Sequence, residues 1–176
     1  MIALQADSEN EFVAGFKRLS EAIVRPDAVL CISAHWQTRG TKITVMEQPP
    51  LVYDFFGFPD ELYRVKYDPP GSPDIALRIS SIVKMTNILP ENNRGLDHGT
   101  WSVLKHFYPD ADVPVLQLSL NDDFSPNEHY QLAKELMPLR KENILIIGSG
   151  NLVHNLRMLD WQNIEREYGY DWAITV

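Results

Sequence analysis

Thiols are almost absent from this 176-residue chain: Cys31 is its one cysteine. An internal disulfide is therefore excluded, and an intracellular, cytoplasmic setting is the expectation. Basic charge is also scarce, with 16 Lys and Arg against 24 Asp and Glu, a net charge of −8, and no basic stripe. Sequence-independent binding of nucleic acid needs clustered, phosphate-facing Lys and Arg, so no nucleic-acid partner is expected. No apolar run approaches the roughly 20 residues of a membrane helix. The polar stretch from Gln5 to Glu11 lacks the apolar core of a signal peptide, so no membrane partner is expected either. Internal repeats and low-complexity segments are missing. What remains is a composition 44% hydrophobic and 23% charged, that of a globular protein. Its length fits a single domain over residues 1–176 with a sizeable core.

Two apolar, β-favouring runs dominate the pattern. Val29-Leu30-Cys31-Ile32-Ser33 leads into Ala34-His35-Trp36, and Ile144-Leu145-Ile146-Ile147 leads into Gly148-Ser149-Gly150-Asn151-Leu152-Val153-His154-Asn155. Each delivers a histidine near its C-terminal end, where ligands collect in α/β proteins. Imidazole is the commonest metal-binding side chain and the usual acid or base near neutral pH. A metal or proton-transfer site is the first functional expectation. Cys31 lies inside its strand, as an inert core residue or as part of that site.

The rest of the chain alternates helical and extended patterns. Ser8-Glu9-Asn10-Glu11 fits a capping box ahead of Phe12, Phe16, Leu19 and Ile23 on one helical face, closed before Arg25-Pro26-Asp27. Lys42–Met46 reads as a strand. Ser72-Pro73 has N-cap and N1 chemistry ahead of Ile75, Ile79, Ile82 and Val83. A short helix is expected over Thr100–Phe107, a strand over Val113–Leu120, and a second capping box at Ser125-Pro126-Asn127-Glu128 before Leu132, Leu136 and Leu139, with Pro138 kinking or shortening that helix. Such alternation predicts an α/β fold with a mixed, largely parallel central sheet and helices on both faces. Between Gln48 and Gly71 runs a long stretch rich in Pro, Gly and aromatics, a length that loops in compact domains rarely reach without a function. It reads either as a lid or substrate wall, or as a loop pinned to the core by its rings.

Five histidines compete for a role. His129, in the first turns of a capped polar helix, and His106, before Tyr108-Pro109, read as surface or packing residues. His98 sits in Gly95-Leu96-Asp97-His98-Gly99-Thr100-Trp101, a glycine-flanked turn leading into a helix. Asp97 beside it offers a possible dyad, although neighbours in sequence need not face one another. His35, His98 and His154 stand dozens of residues apart and match no local zinc motif, so only a shared strand-end geometry would unite them. Gly148-Ser149-Gly150-Asn151 has neither the lysine of a P-loop nor the spacing of a dinucleotide fingerprint or a nucleophile elbow. Its glycines read as places where backbone approaches the site closely, and Asn151 as a ligand-orienting or turn-capping residue.

Six stretches then fall in a familiar order: Ser33-Ala34-His35-Trp36; the Pro49-Pro50 loop with Asp54-Phe55-Phe56-Gly57-Phe58-Pro59; Pro69-Pro70-Gly71-Ser72-Pro73; Gly95 to Trp101; Tyr108-Pro109-Asp110-Ala111-Asp112-Val113-Pro114; and Gly148 to Arg157. Together they resemble the class III extradiol ring-cleavage dioxygenases of the DOPA dioxygenase type, related to the catalytic subunit of protocatechuate 4,5-dioxygenase. The resemblance covers nearly the whole chain. It implies cleavage of a catechol next to its diol with O₂, at a non-haem Fe(II) whose position Zn(II) can also take. On it, His35 and His154 are metal ligands, His154 alternatively an acid or base beside the metal, and His98 a group that binds substrate or oxygen or assists proton transfer. Fe(II) suits imidazole and carboxylate ligands with open positions, and a neutral histidine can take a proton from the diol. The aromatic loop 53–67 is the expected wall for the substrate ring.

The resemblance also carries departures. Family members begin with a strand ending in His-Gly-Ser-Pro, a further metal ligand, and continue through another helix to a Thr-Pro-Glu-His-like stretch. The expectation is thus a chain shortened at both ends, with at most two of the metal's protein ligands, weak as a catalyst and prone to homo-oligomerise. The alternative is a non-enzymatic metal- or partner-binding module on the same fold. A zinc hydrolase is a weaker third reading, because no paired carboxylate or nucleophile arrangement recommends it.

Overall fold

The structure, a computed structural model, describes residues 10–151. Its centre is a parallel three-stranded sheet in the order β5-β1-β7, where β1 is Ala28–Ser33, β5 is Val115–Gln117 and β7 is Ile144–Ser149. Packing on both faces buries every residue of β1 but Ile32, which is why the strand reads as an apolar run. Four helices accompany the sheet: α1 (Glu11–Ala22), α2 (Pro73–Ile82), α3 (His98–Phe107) and α4 (Pro126–Leu136). Two short parallel ribbons complete it, β2 (Gln37–Thr38) with β6 (Leu120–Asn121), and β3 (Lys42–Thr44) with β4 (Leu89–Glu91). The expected α/β architecture, with helices over both faces of the sheet, is what forms.

Alternate residues of the three central strands feed two separate cores. Ala28, Leu30, Leu116 and Ile144 pack with Ala76 and Ile79 of α2 and Leu132 and Leu136 of α4. Val29 and Val115 pack on the other side with Trp101 and Leu104 of α3 and with Phe55, Leu62, Val65 and Tyr67 from the 48–71 stretch. That stretch holds one 3-10 helix, Asp60–Arg64, and its rings pin it down: the Trp101 indole donates to the Val52 carbonyl at 3.0 Å and the Tyr53 hydroxyl to the Val65 carbonyl at 2.6 Å. The pinned-loop reading describes most of it, although Phe56 at its tip is 90% exposed.

Local departures from the sequence pattern have physical causes. The first helix is capped by Asn10, whose side chain accepts from the backbone of Phe12 and Val13, so the box begun at Ser8 is not the one that starts it. Of its apolar face, Phe16 stacks on Phe107 while Phe12 and Leu19 stay exposed. Asp97, not a later residue, caps α3, which therefore begins at His98. The Val113–Leu120 strand is broken: after Gln117 the chain leaves β1, Leu118 bridges Ile43, and pairing resumes on β2. Strand β4 escaped the pattern because Pro90 sits within it, which an edge strand tolerates. The Ser125 capping box forms as expected, and Pro138 turns α4 into a 3-10 helix over Met137–Glu142.

Leu30 is fully buried between Leu116 and Ile146, so Leu30→Ala should cost about 2–5 kcal/mol in urea unfolding. Phe12→Ala, at a position 56% exposed, should move the same curve by no more than about 0.5 kcal/mol.

Candidate metal centre

Strands β1 and β7 end side by side, with Ser33 opposite Ser149 in register, and the Ala34 N–H donates to the Ser149 carbonyl at 2.9 Å. His35 leaves the sheet here, its backbone N–H donating to Ser33 Oγ at 3.2 Å. The first turn of α3 is pressed onto the same strand ends. Ser149 Oγ donates to the Gly99 carbonyl at 2.6 Å, and a Cβ on Gly99 would lie 2.5 Å from Ser33 Oγ and 3.2 Å from His35 Cδ2. Glycine is required there by the closeness of the approach. That approach sets the His98 ring against the His35 ring, with centroids 4.0 Å apart and planes inclined at 55°.

The third group comes from the aromatic loop. Asp54 Oδ1 accepts from both the backbone N–H of His98, at 3.1 Å, and its ring Nδ1, at 2.7 Å. Its Oδ2 lies 3.8 Å from His35 Nδ1. Partial burial works against the carboxylate, but the two hydrogen bonds from His98 outweigh it and hold Asp54 below the usual carboxylate range. Phe55 meets the His98 ring edge-on at 5.4 Å. Among the described residues, His35, Asp54 and His98 form a group whose ligand atoms all lie within 4.8 Å of one another. Two imidazoles and a carboxylate are a donor set that divalent first-row metals accept, and the cluster can hold such an ion.

Asp97 does not form the dyad that its place beside His98 invites. It points inward, fully buried, where Oδ2 accepts from Gln117 Nε2 at 2.7 Å and Oδ1 accepts from the Thr100 N–H at 3.2 Å. The Asp97 N–H donates in return to Gln117 Oε1 at 2.8 Å. Arg94 Nη2 stands 3.5 Å from the same carboxylate, donates to the His35 carbonyl at 3.2 Å, and its guanidinium lies 5.5 Å from the centre of the Trp36 ring. Asp97 thus anchors the turn that carries His98, and Arg94 straps that turn to the segment that carries His35. Cys31 is buried beneath, accepting from the Thr100 hydroxyl at 3.2 Å, its thiol pushed up to about 12 by burial, which keeps it protonated and unreactive.

The site opens into a cavity of about 640 Å³. Among the described residues its apolar lining comes from Phe16, Ala34, Val103, Phe107 and Ile147, and none of it from loop 53–67. Gly148-Ser149-Gly150-Asn151 borders it, but the close-approach reading holds at Gly150 alone: a Cβ there would lie 3.1 Å from Ala34 Cβ, whereas one on Gly148 would meet open space. His106 stacks on Phe16 and His129 Nε2 accepts from the Asn121 N–H, so neither joins the cluster. His154 lies outside the described residues. Sequence reasoning missed Asp54, Gln117 and Arg94 as supporting groups. The one available signal was a carboxylate set inside an otherwise aromatic stretch.

Comparison with known proteins adds the following. The family model described as the catalytic LigB subunit of aromatic ring-opening dioxygenase matches residues 4–172. The chain is 40% identical over 166 residues to the 4,5-DOPA dioxygenase extradiol of Escherichia coli (strain K12), covering 94% of this chain and 60% of that protein. It is 44% identical over 133 residues to the protein of the same name from Beta vulgaris, covering 74% of this chain and 50% of that one. The crystal structure of an uncharacterized protein from Escherichia coli K12 superimposes with a TM-score of 0.79 at 34% identity, covering 98% of this chain and 65% of its own. The chain therefore spans 60% or less of the length of these two dioxygenase relatives.

Two substitutions test the construction of the site. Helix propensity alone predicts that Gly99→Ala gains about 1 kcal/mol. The contact with Ser33 Oγ predicts instead a loss of about 1–3 kcal/mol in thermal or urea unfolding, with His35 displaced. Gln117→Leu removes two hydrogen-bond partners of Asp97 and should cost about 1–3 kcal/mol by the same measurement.

Proposed function

Because this chain belongs to the family of the catalytic LigB subunit of aromatic ring-opening dioxygenases, we propose that it is built to open a catechol, a DOPA-like aromatic diol, next to its two hydroxyls with O₂. The observation that carries this reading is the meeting of His35, His98 and Asp54 beside a cavity of about 640 Å³ that the two histidines line, within the range of small-molecule sites. In this reading His35, together with His154, holds a non-haem Fe(II), a position that Zn(II) can also occupy. Bound Fe(II) would supply a Lewis acid for the diol and the electrons that activate O₂, of which Zn(II) could supply only the first.

The residues of the chain do the remaining work. Phe16, Val103, Phe107 and Ile147 offer a dry wall against which an aromatic ring can lie. A catechol must lose protons before it chelates, and the His98 ring is the group positioned to take one. Asp54, bonded to His98 at Nδ1, stabilises the imidazolium that results. Arg94 and Asp97 hold the two histidine-bearing segments in place throughout.

The test is oxygen uptake by the chain after anaerobic Fe(II) loading, with DOPA and simple catechols, alongside the absorbance of a coloured ring-opened product. Uptake that falls at least 100-fold in His35→Ala, and about 10²- to 10⁴-fold in His98→Gln, is the expected result. A chain that binds metal but consumes no oxygen would overturn the enzymatic reading in favour of a binding module.

A further inference from the structure

The loop that delivers Asp54 has no regular structure around that residue, yet it is held from several sides. Phe55 is buried against Trp101 and the edge of the His98 ring, and the Val52 and Val65 carbonyls are tied by the Trp101 indole and the Tyr53 hydroxyl. So placed, the carboxylate turns a single oxygen, Oδ1, to both donors of one residue, the backbone N–H and the ring Nδ1 of His98. A backbone N–H can only donate, so Oδ1 is an acceptor. The ionised carboxylate has no proton to give, so the ring nitrogen 2.7 Å from that same oxygen is the donor.

We propose that Asp54 is a positioning residue whose carboxylate fixes His98 in the Nδ1–H tautomer, leaving Nε2, on the far side of the ring, as the nitrogen with a free lone pair. The function of that lone pair, as proton acceptor, rests on the dioxygenase reading; the tautomer itself does not. Free histidine favours the opposite, Nε2–H, form. Without the carboxylate the nitrogen presented away from the loop would therefore carry a proton and could not take another. The competing role for Asp54 is that of a direct metal ligand. Both donors of His98 occupy Oδ1, so only Oδ2, 3.8 Å from His35 Nδ1, is left to serve a metal in that role. A carboxylate that aligns a functional imidazole through its other nitrogen is a recurring arrangement, and its loss weakens metal sites without dismantling them.

The experiment is ¹⁵N NMR of the metal-free, histidine-labelled chain, with the His98 resonances identified from His98→Gln. The wild-type spectrum alone decides the tautomer: a protonated Nδ1 and an unprotonated Nε2 in the neutral ring are expected, and an Nε2–H ring overturns the proposal. Asp54→Ala should release the ring to the Nε2–H form, whereas Asp54→Asn, which keeps an acceptor oxygen, should retain Nδ1–H. Zn(II) affinity measured by calorimetry should fall about 10- to 100-fold in Asp54→Ala. Loss of Zn(II) binding in that variant with the tautomer unchanged would make Asp54 a ligand and refute the positioning role. The two readings fail separately. An Nδ1–H ring in a chain that takes up no oxygen sinks the dioxygenase proposal alone, and oxygen uptake with an Nε2–H ring sinks the Asp54 proposal alone.

Discussion

Strand β1 is hydrogen-bonded along both edges and apolar on both faces, so the point where it ends is fixed in every direction. Everything at the candidate centre is measured from that point. Ser33 and Ser149 lie abreast there, and His35 follows two residues later. The first turn of α3 closes on the same spot so tightly that Gly99 has no room for a methyl group. A helix start and a strand end, packed against one another in a shared core, thereby fix the two imidazoles relative to one another.

Beneath this contact lies a polar cluster that a purely apolar core could not replace. Asp97 is a fully buried carboxylate, and such a group is tolerable only when its oxygens are occupied by donors. Gln117 and the Thr100 N–H donate to those oxygens, and the Arg94 guanidinium stands close by. Because these partners come from β5, from α3 and from the segment before the turn, the cluster welds three parts of the chain at one depth. A buried carboxylate satisfied from several parts of the chain in this way specifies one arrangement of the surrounding backbone. The site therefore rests on a hard floor, and the softer element above it is the exposed tip of the aromatic loop at Phe56.

The legible parts of this molecule were those written in periodicity. Strand β1 with His35 at its end, α2 with its Ser72-Pro73 start, and α4 with its capping box all follow from local pattern, because their apolar spacing and their caps act within a few residues. The His98 turn was visible through its flanking glycines. Asp54 was not given a role, since it comes from a loop without periodicity and meets His98 only through tertiary folding. Asp97 was misplaced for the opposite reason: adjacency suggested a partner that backbone geometry forbids, because the residue capping a helix turns its side chain to the helix backbone. The break after Gln117 was hidden because Leu118 is as apolar as a strand residue, and only its bridge to Ile43 tells it apart.

The alternation of the central sheet has one more consequence. Val29 stands opposite both Val115 and Leu145, so the registers preserve parity across all three strands. Odd-numbered positions face α3 and the histidines, and even-numbered positions face α2 and α4. The sheet is in effect two interleaved alphabets. One spells the floor of the candidate metal centre, where Ser33, Val115, Gln117 and Ser149 touch the elements that carry His35 and His98 or pack beside them. The other spells the far wall, which answers to volume and hydrophobicity alone except at Gly148, where it too borders the cavity.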